Sequence, residues 1–335
     1  MARRIPGAAL ASILVLAGCG AEPAPVAPAA ARTGTFTNPV YPGNFPDPGV
    51  IEAGGTFFAY GTNTATANVP LLTSADLVHW TEGGDVLPRV GRWAGHGDTW
   101  APEVVRTAAG RYVLYYTARW AKADRQCIGA ATGDDPRGPF TDPSGEPLIC
   151  QDAEGGSIDA SPYADGTGAL HLVWKNDGNH IGRPTHLYGQ RLADHGLSVT
   201  GNPVRLLTND KPWQAHVIEA PQLVRHEDRL YLFYSANAFD SDSYAVGYAT
   251  CDTPLGPCRD AAENPILKSS PAAAGPGHSY LVTSADGSTW LLYHAWPPEA
   301  IGSVMPGRQL WLDRVTWPAG RPVVHGPTPG PQPGP

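Results

Sequence analysis

The sequence has few charged residues and no basic block. Charged side chains make up only 16% of the 335 residues, and the net charge is -8 at pH 7. Proteins bind nucleic acids and anionic membrane surfaces through clustered lysine and arginine, so we expect neither as a partner. Neutral or weakly charged ligands fit this composition better.

Long hydrophobic runs and helical periodicity are also missing. The apolar run from Ala8 to Leu16 is too short to span a membrane. In contrast, the chain contains 39 glycines and 35 prolines, together with 10 tryptophans and 13 tyrosines. This composition is typical of many short strands joined by tight turns. We therefore expect one large all-β domain rather than two domains of average size.

The N-terminus has the features of a targeting segment. Arg3 and Arg4 precede the apolar run, which ends in Leu16-Ala-Gly-Cys19. This pattern resembles a bacterial lipoprotein signal peptide, so we interpret residues 1–19 as signal and lipobox, with lipidation at Cys19. Residues 20–32, rich in proline and alanine, would tether a secreted protein whose lipid is its only contact with the cell-surface membrane. The alternative is an ordinary secretory signal in which Cys19 happens to lie at the cleavage point.

Five segments of the chain resemble one another. Each begins with a small residue followed by proline or histidine, and continues with an apolar run, a turn and a second run rich in tyrosine, leucine and tryptophan. The equivalent positions, separated by 54, 60, 59 and 57 residues, are Pro48, Pro102, Pro162, Pro221 and His278. A period of this size in strands indicates a propeller of four-stranded blades. We predict an all-β, single-domain, five-bladed β-propeller over residues 33–322, followed by a disordered Pro/Gly-rich tail at 323–335.

A second pair of matching segments bears on the cysteines. Residues 128–140 match residues 246–258 at an offset of 118, about two blades, so we assign both to outer hairpins of blades two and four. Cys251 and Cys258 lie at the two ends of the second turn, which makes a bridge between them geometrically reasonable. Cys127 would then pair with Cys150. Apart from Cys19, four cysteines allow three pairings, and crossed pairing between the two non-neighbouring blades is the alternative.

Residues at the heads of the repeats should meet in one pocket, because the innermost strands of a propeller all start on one face around the axis. For blades one to five, the heads offer Asp47, Trp100, Asp159, Glu219 and His278. Crowded carboxylates resist joint ionisation, so one acid should have a raised pKa while another stays ionised. Glycoside hydrolysis needs this combination of acid and carboxylate. Trp100 would supply an apolar face for a sugar ring.

Taken together, the motifs at these heads resemble glycoside hydrolase family 43. The motifs are Asn38-Pro-Val-Tyr-Pro-Gly-Asn-Phe-Pro-Asp47-Pro, Trp100-Ala-Pro-Glu103, Asp159-Ala-Ser-Pro, Glu219-Ala-Pro and Gly275-Pro-Gly-His278. The resemblance implies a five-bladed propeller and an inverting mechanism. In that mechanism Asp47 would be the general base and Glu219 the general acid, while Asp159 would tune the pKa of the acid and orient it.

The same resemblance implies further contacts with the ligand. Trp100 would lie against the sugar, and Arg308 would contact the sugar or the carboxylates. His278 would contact a calcium ion through waters on the propeller axis, and this ion is the only cofactor expected. Each residue also has a structural interpretation, such as a proline-flanked turn for Asp47. Glu103 is interpreted as structural, pairing with backbone or with a neighbouring blade.

Family resemblance does not fix the sugar, because function depends on the site rather than on the fold. We expect a monomeric hydrolase that removes α-L-arabinofuranosyl residues from plant cell-wall arabinan or arabinoxylan, since residues 38–48 resemble the exo-acting members. A β-xylosidase and an endo-α-1,5-arabinanase are the alternatives within the family. A noncatalytic glycan-binding surface propeller is the alternative of another class. It predicts a missing carboxylate, whereas all three are present.

Overall fold

The computed structural model describes residues 1–2, 34–95 and 97–335. Cys19, almost all of the predicted signal segment and the predicted tether lie outside the described residues. Within the described part, no helix has the length and hydropathy of a membrane span. The unit that contains the blades runs from Arg32 to Pro335.

Short strands make up nearly all of the regular structure in the described chain. In chain order, they are β1 (Thr35–Phe36), β2 (Gly49–Ala53), β3 (Thr56–Tyr60), β4 (Pro70–Ser74), β5 (Thr81–Asp85), β6 (Trp100–Arg106), β7 (Tyr112–Trp120), β8 (Arg125–Gly133), β9 (Ser157–Ala164), β10 (Leu170–Asn176), β11 (His186–Leu192), β12 (Val199–Thr208), β13 (Ile218–His226), β14 (Arg229–Ala236), β15 (Ala245–Cys251), β16 (Cys258–Asp260), β17 (Ala274–Thr283), β18 (Thr289–Trp296), β19 (Gln309–Thr316), β20 (Val323–Val324) and β21 (Gln332–Pro333). Single 3₁₀ turns lie at Asp152–Glu154, Gly178–Ile181, Pro212–Gln214 and Pro318–Gly320.

These strands form five blades, one for each predicted repeat. Strands β2–β5, β9–β12, β13–β16 and β17–β20 form antiparallel sheets of four strands, and β6–β8 form a sheet of three. In the three-stranded blade, isolated bridges from Ile128 to Ile149 and from Thr132 to Thr141 occupy the outer edge. The all-β class and the five-bladed propeller are thus confirmed.

The apolar core lies between the blades. Five buried clusters each join two neighbouring blades. Between blades five and one, for example, Phe45 and Phe57 pack with Leu292 and Leu310. A sheet covered on both faces needs apolar side chains on both, which explains why the tyrosine- and leucine-rich second strands are almost wholly buried.

A residue with positive φ lies close to the start of each innermost strand. These residues, with φ between 44° and 57°, are Asp47, Ala101, Asp159, Ala220 and His278. In blades two to five the pairing register shifts here, as in a β-bulge, which re-aims side chains at the rim of a sheet. These positive-φ residues, rather than the residues matched in the sequence, are the equivalent positions of the five blades. Relative to Pro48, Pro162 therefore lies two residues too late and His278 one residue too early.

The tail at residues 323–335 is ordered, and the prediction of disorder is wrong. Strand β20 is the fourth strand of blade five, and β21 pairs with β1 near the start of the described chain. The Asn38 side chain donates to the carbonyls of Leu312 and Thr328, at 2.9 Å each. Backbone and side-chain partners thus order a segment whose composition alone indicates disorder.

Both predicted disulfides are present, joining Cys127 to Cys150 and Cys251 to Cys258. Cys251 and Cys258 are cross-strand partners in β15 and β16, as expected for two ends of one turn. The other bridge closes the outer edge of blade two. The crossed pairing is not formed.

Candidate active site

All six predicted catalytic, substrate-binding and ion-contacting side chains line one cavity of about 380 Å³. This volume is within the range of small-molecule sites. The predicted residues are Asp47, Trp100, Asp159, Glu219, His278 and Arg308. Residues that the sequence did not single out complete the lining, namely Thr62, Ile158, Lys175, Asp177, Asn179, His180 and Phe239.

Asp47 lies beside a guanidinium, a hydroxyl and a histidine ring. Arg308 Nη1 lies 2.7 Å from its Oδ1, and the Thr62 hydroxyl donates to its Oδ2 at 2.5 Å. His278 Nδ1 is 3.3 Å from Oδ1. Burial raises the pKa of this carboxyl, but the attraction of the Arg308 guanidinium, with His278 adding to it, outweighs burial and holds the pKa of Asp47 well below its ordinary value. Asp47 is therefore a carboxylate at neutral pH.

His294, which the sequence analysis missed, fixes the backbone at Asp47. Its Nδ1 accepts a hydrogen bond from the Asp47 N–H at 3.2 Å, so the neutral ring carries its proton on Nε2. Burial lowers the pKa of His294 to about 4, which agrees with a neutral ring. Among the described residues, its buried Nε2 has no hydrogen-bond partner.

Two donors from different blades hold the Glu219 carboxyl. Lys175 Nζ lies 3.0 Å from Oε2, and the Tyr244 hydroxyl donates to Oε1 at 2.7 Å. The Lys175 side chain is only 1% exposed, whereas that of Glu219 is 13% exposed. Lys175 and Tyr244 thus hold the Glu219 carboxyl in place while it still lines the cavity.

Asp159 is the buried carboxyl that joins blades three and four. Its Oδ2 accepts a hydrogen bond from the Ala220 N–H at 3.0 Å. Burial raises the pKa of Asp159 to about 6, with Glu219 adding to the rise, while His278 and Lys175 oppose it. The two aspartates of the cavity thus have pKa values moved in opposite directions, as expected for crowded carboxylates.

Replacing Asp159 with asparagine should stabilise the fold above about pH 6 and leave it unchanged below about pH 4. The folded state keeps a proton up to about pH 6, whereas the unfolded chain loses it near the ordinary value of 3.8, so stability falls as the pH rises between these values. Asparagine removes this loss and keeps an acceptor for the Ala220 N–H. Above about pH 6 we expect the unfolding free energy to rise by on the order of 1 to 3 kcal/mol. Denaturant titrations above and below this pH range measure the change. An equal change at both pH values would contradict the raised pKa.

Aromatic side chains form the wall beside Arg308. Its guanidinium lies 4.9 Å from the ring centre of Phe239 and 6.0 Å from that of Trp296. Trp296 Nε1 donates to the Phe239 carbonyl at 2.8 Å, which holds this segment at the cavity. Phe239 is 45% exposed, and Trp100 lines the cavity from blade two. Both rings offer apolar faces to a ligand.

Glu103 does not line the cavity. The Ser161 hydroxyl of blade three donates to its Oε2 at 2.8 Å, and burial raises the pKa of Glu103 well above its ordinary value. A partner on the neighbouring blade agrees with the structural interpretation.

The described residues contain no group of three or more histidine, cysteine, aspartate or glutamate side chains that could hold a metal ion. The calcium ion expected from the family resemblance would contact His278 only through waters. Its presence therefore stays a prediction, and no step of the chemistry below depends on it.

Comparison with known proteins connects this geometry to a family. Residues 36–322 match the family model for glycosyl hydrolases family 43. A beta-D-galactofuranosidase of Aspergillus niger is 25% identical over 273 residues, which are 77% of this chain and 75% of that protein. An extracellular exo-alpha-(1->5)-L-arabinofuranosidase of Streptomyces avermitilis is 26% identical over 353 residues, with 96% and 70% coverage.

The share of the matched protein that this chain covers varies among the relatives. An extracellular endo-alpha-(1->5)-L-arabinanase of Bacillus subtilis is 27% identical over 250 residues, which are 66% of this chain but only 51% of that protein. A crystal structure of a thermostable family-43 glycoside hydrolase superposes with a TM-score of 0.81 at 30% identity, covering 90% of this chain and 99% of the other. The chain belongs to glycosyl hydrolases family 43.

Proposed function

We propose that the protein is an inverting, exo-acting α-L-arabinofuranosidase that removes arabinofuranosyl residues from plant cell-wall arabinan or arabinoxylan. Glycoside hydrolysis follows from the family, whereas the sugar, the mode of attack and the roles of individual residues are the proposal. The observation that carries it is an ionised Asp47 in the same cavity as Glu219. A base and an acid on separate blades can act on the two sides of one glycosidic bond.

In this mechanism Asp47 is the general base. It accepts a proton from the water that attacks the anomeric carbon, while the bond from that carbon to the leaving oxygen breaks. The contacts with Arg308 and Thr62 keep the carboxylate ionised and oriented before the reaction. They also make it a weaker base, because a lowered pKa reduces the driving force for proton transfer.

Glu219 is the general acid, and its proton moves to the leaving oxygen. Lys175 and Tyr244 hold its two oxygens, so the carboxyl keeps one orientation in the cavity. Asp159 contacts the backbone at Ala220, directly after Glu219, which supports its role as the residue that tunes and orients the acid. Trp100 and Arg308 are proposed to bind the sugar.

Names of relatives support a furanoside as the substrate. The Streptomyces avermitilis and Aspergillus niger proteins are named for arabinofuranosidase and galactofuranosidase activities. The noncatalytic alternative is disfavoured, since Asp47, Asp159 and Glu219 are all present and line one cavity.

A substrate screen tests the proposal. We expect the purified protein to release free sugar from 4-nitrophenyl α-L-arabinofuranoside, and single arabinose units from linear arabinan. Proton NMR should show the β-anomer of arabinose first, because inversion converts an α-glycoside into a β-product. Xyloside and galactofuranoside serve as comparison substrates. Faster cleavage of either, or release of oligosaccharides from arabinan, would overturn the assignment.

Location and assembly are part of the same proposal. The two disulfides and the extracellular relatives support a secreted protein. We further propose lipid anchoring through Cys19 on the bacterial surface and action as a monomer.

A further inference from the structure

A polar residue occupies the same place near the end of the second strand in every blade. Across the hairpin, it pairs with the residue just before the positive-φ residue of the first strand. For blades one to five, these residues, which we call the ring residues, are Thr62, Thr117, Lys175, Ser235 and His294.

Four of the five ring residues join neighbouring blades in the same way. Each accepts a hydrogen bond from the backbone N–H of the positive-φ residue in the next blade. The pairs are Ala101 to Thr62 at 3.0 Å, Asp159 to Thr117 at 3.3 Å, His278 to Ser235 at 2.8 Å and Asp47 to His294 at 3.2 Å. A hydroxyl or a neutral histidine can accept in this position.

Lys175 breaks the pattern, because an ammonium group has no acceptor. At this interface the N–H of Ala220 donates instead to the Asp159 carboxylate, at 3.0 Å. Asp159 thereby performs the joining role of the missing ring acceptor. Lys175 therefore does not join blades three and four through the Ala220 N–H, and its Nζ lies 3.0 Å from Glu219 Oε2 instead.

A structural role alone does not explain a lysine here. Burial of an ammonium group is costly unless charges compensate it. Burial opposes the charge of Lys175, but Glu219 and Asp177, with Nζ–O distances of 3.0 and 3.8 Å, outweigh it and raise the pKa of Lys175. A threonine or serine, as in blades one, two and four, would join the blades without that cost.

We propose that Lys175 is a positioning residue. Instead of accepting the hydrogen bond that the other ring residues accept, it holds the Glu219 carboxyl toward the leaving oxygen of the substrate. The inference rests on the proposed role of Glu219 as general acid. It adds that the acid depends on a lysine from the preceding blade. It also explains why Asp159 contacts the backbone beside Glu219, since that contact replaces the missing ring acceptor.

Leaving-group dependence separates this role from a structural one. A misplaced acid slows the departure of a poor leaving group, whereas dinitrophenolate departs without a proton. We expect Lys175→Met and Lys175→Thr to lower kcat about 10- to 100-fold on an oligosaccharide or alkyl glycoside. The dinitrophenyl glycoside of the same sugar should change less than about threefold, because its leaving group needs no acid. The sugar is whichever one the wild-type protein cleaves, so an error in the arabinose assignment leaves this test intact.

The choice of variants separates loss of the charge from loss of the fold. Lys175→Thr restores a hydroxyl of the kind found in blades one and two, so it should fold even if Lys175→Met does not. Lys175→Arg keeps the charge and should retain more activity on the poor leaving group than either. Unchanged kcat on both substrates, or an equal loss on both with a lowered unfolding temperature, would overturn the proposal.

Discussion

Replacing Asp47 with asparagine should lower kcat by about one hundred- to ten thousand-fold on every substrate, whatever its leaving group. Asparagine has the same size and can still accept the hydrogen bond of Thr62, but it cannot take a proton from water. The variant also leaves the Arg308 charge without its carboxylate partner at 2.7 Å. The measurement is kcat for a dinitrophenyl glycoside and for an oligosaccharide, together with thermal unfolding.

Azide distinguishes loss of a base from loss of the fold. Azide needs no general base to attack, so it should restore turnover of the dinitrophenyl glycoside by Asp47→Asn and yield a glycosyl azide of inverted configuration. Asp313→Asn is a matched control, since Asp313 is a wholly buried aspartate that does not line the cavity. Wild-type turnover in Asp47→Asn would refute its role as the base.

Replacing Glu219 with glutamine should have the second large effect, and this effect should depend on the leaving group. On an oligosaccharide we expect a loss of about one hundred- to ten thousand-fold, because the leaving oxygen departs without a proton. On the dinitrophenyl glycoside the loss should be about tenfold or less, since that leaving group needs little acid assistance. The ratio of the two kcat values is the diagnostic quantity, and it sets the scale against which the Lys175 variants are judged.

Glu103→Gln provides the control for Glu219. Like Glu219, Glu103 is a glutamate on an innermost strand, but it is buried, its partner is Ser161 and it does not line the cavity. Its replacement should leave the ratio of the two kcat values unchanged. A Glu219→Gln variant that lost the same factor on both substrates would not support a general acid at this position.

The sequence predicted the architecture because the repeat appears at the scale of a blade. Five hairpins with a nearly constant spacing indicated five blades, and the heads of those hairpins supplied Asp47, Asp159 and Glu219. The register within the heads was less predictable. Proline follows three of the five positive-φ residues, but blade three has Ala160 at the place of Pro48, so matching on Pro162 shifted that blade by two residues.

Residues that hold the carboxylates were harder to find, because they belong to other parts of the chain. Lys175 directly follows an apolar run. A single charged residue at the end of a buried strand is unusual, and this was the one signal in the sequence that could have identified it. His294 lies within the run Trp290–Trp296, where nothing distinguishes it from a core residue. Tyr244 precedes β15 and reaches Glu219 only through the packing of blade four. The contacts of Lys175 and His294 cross between blades and that of Tyr244 joins distant parts of one blade, and a local sequence pattern encodes neither.

The seam between blades five and one also has a consequence for biosynthesis. Asp47 belongs to the first blade to leave the ribosome, whereas Arg308, His278 and His294 all belong to the last. The Asp47 carboxylate therefore lacks Arg308, its guanidinium partner at 2.7 Å, until the fifth blade has been synthesised and has packed against the first. Catalytic competence is thus acquired at the end of synthesis, which withholds activity from incomplete chains.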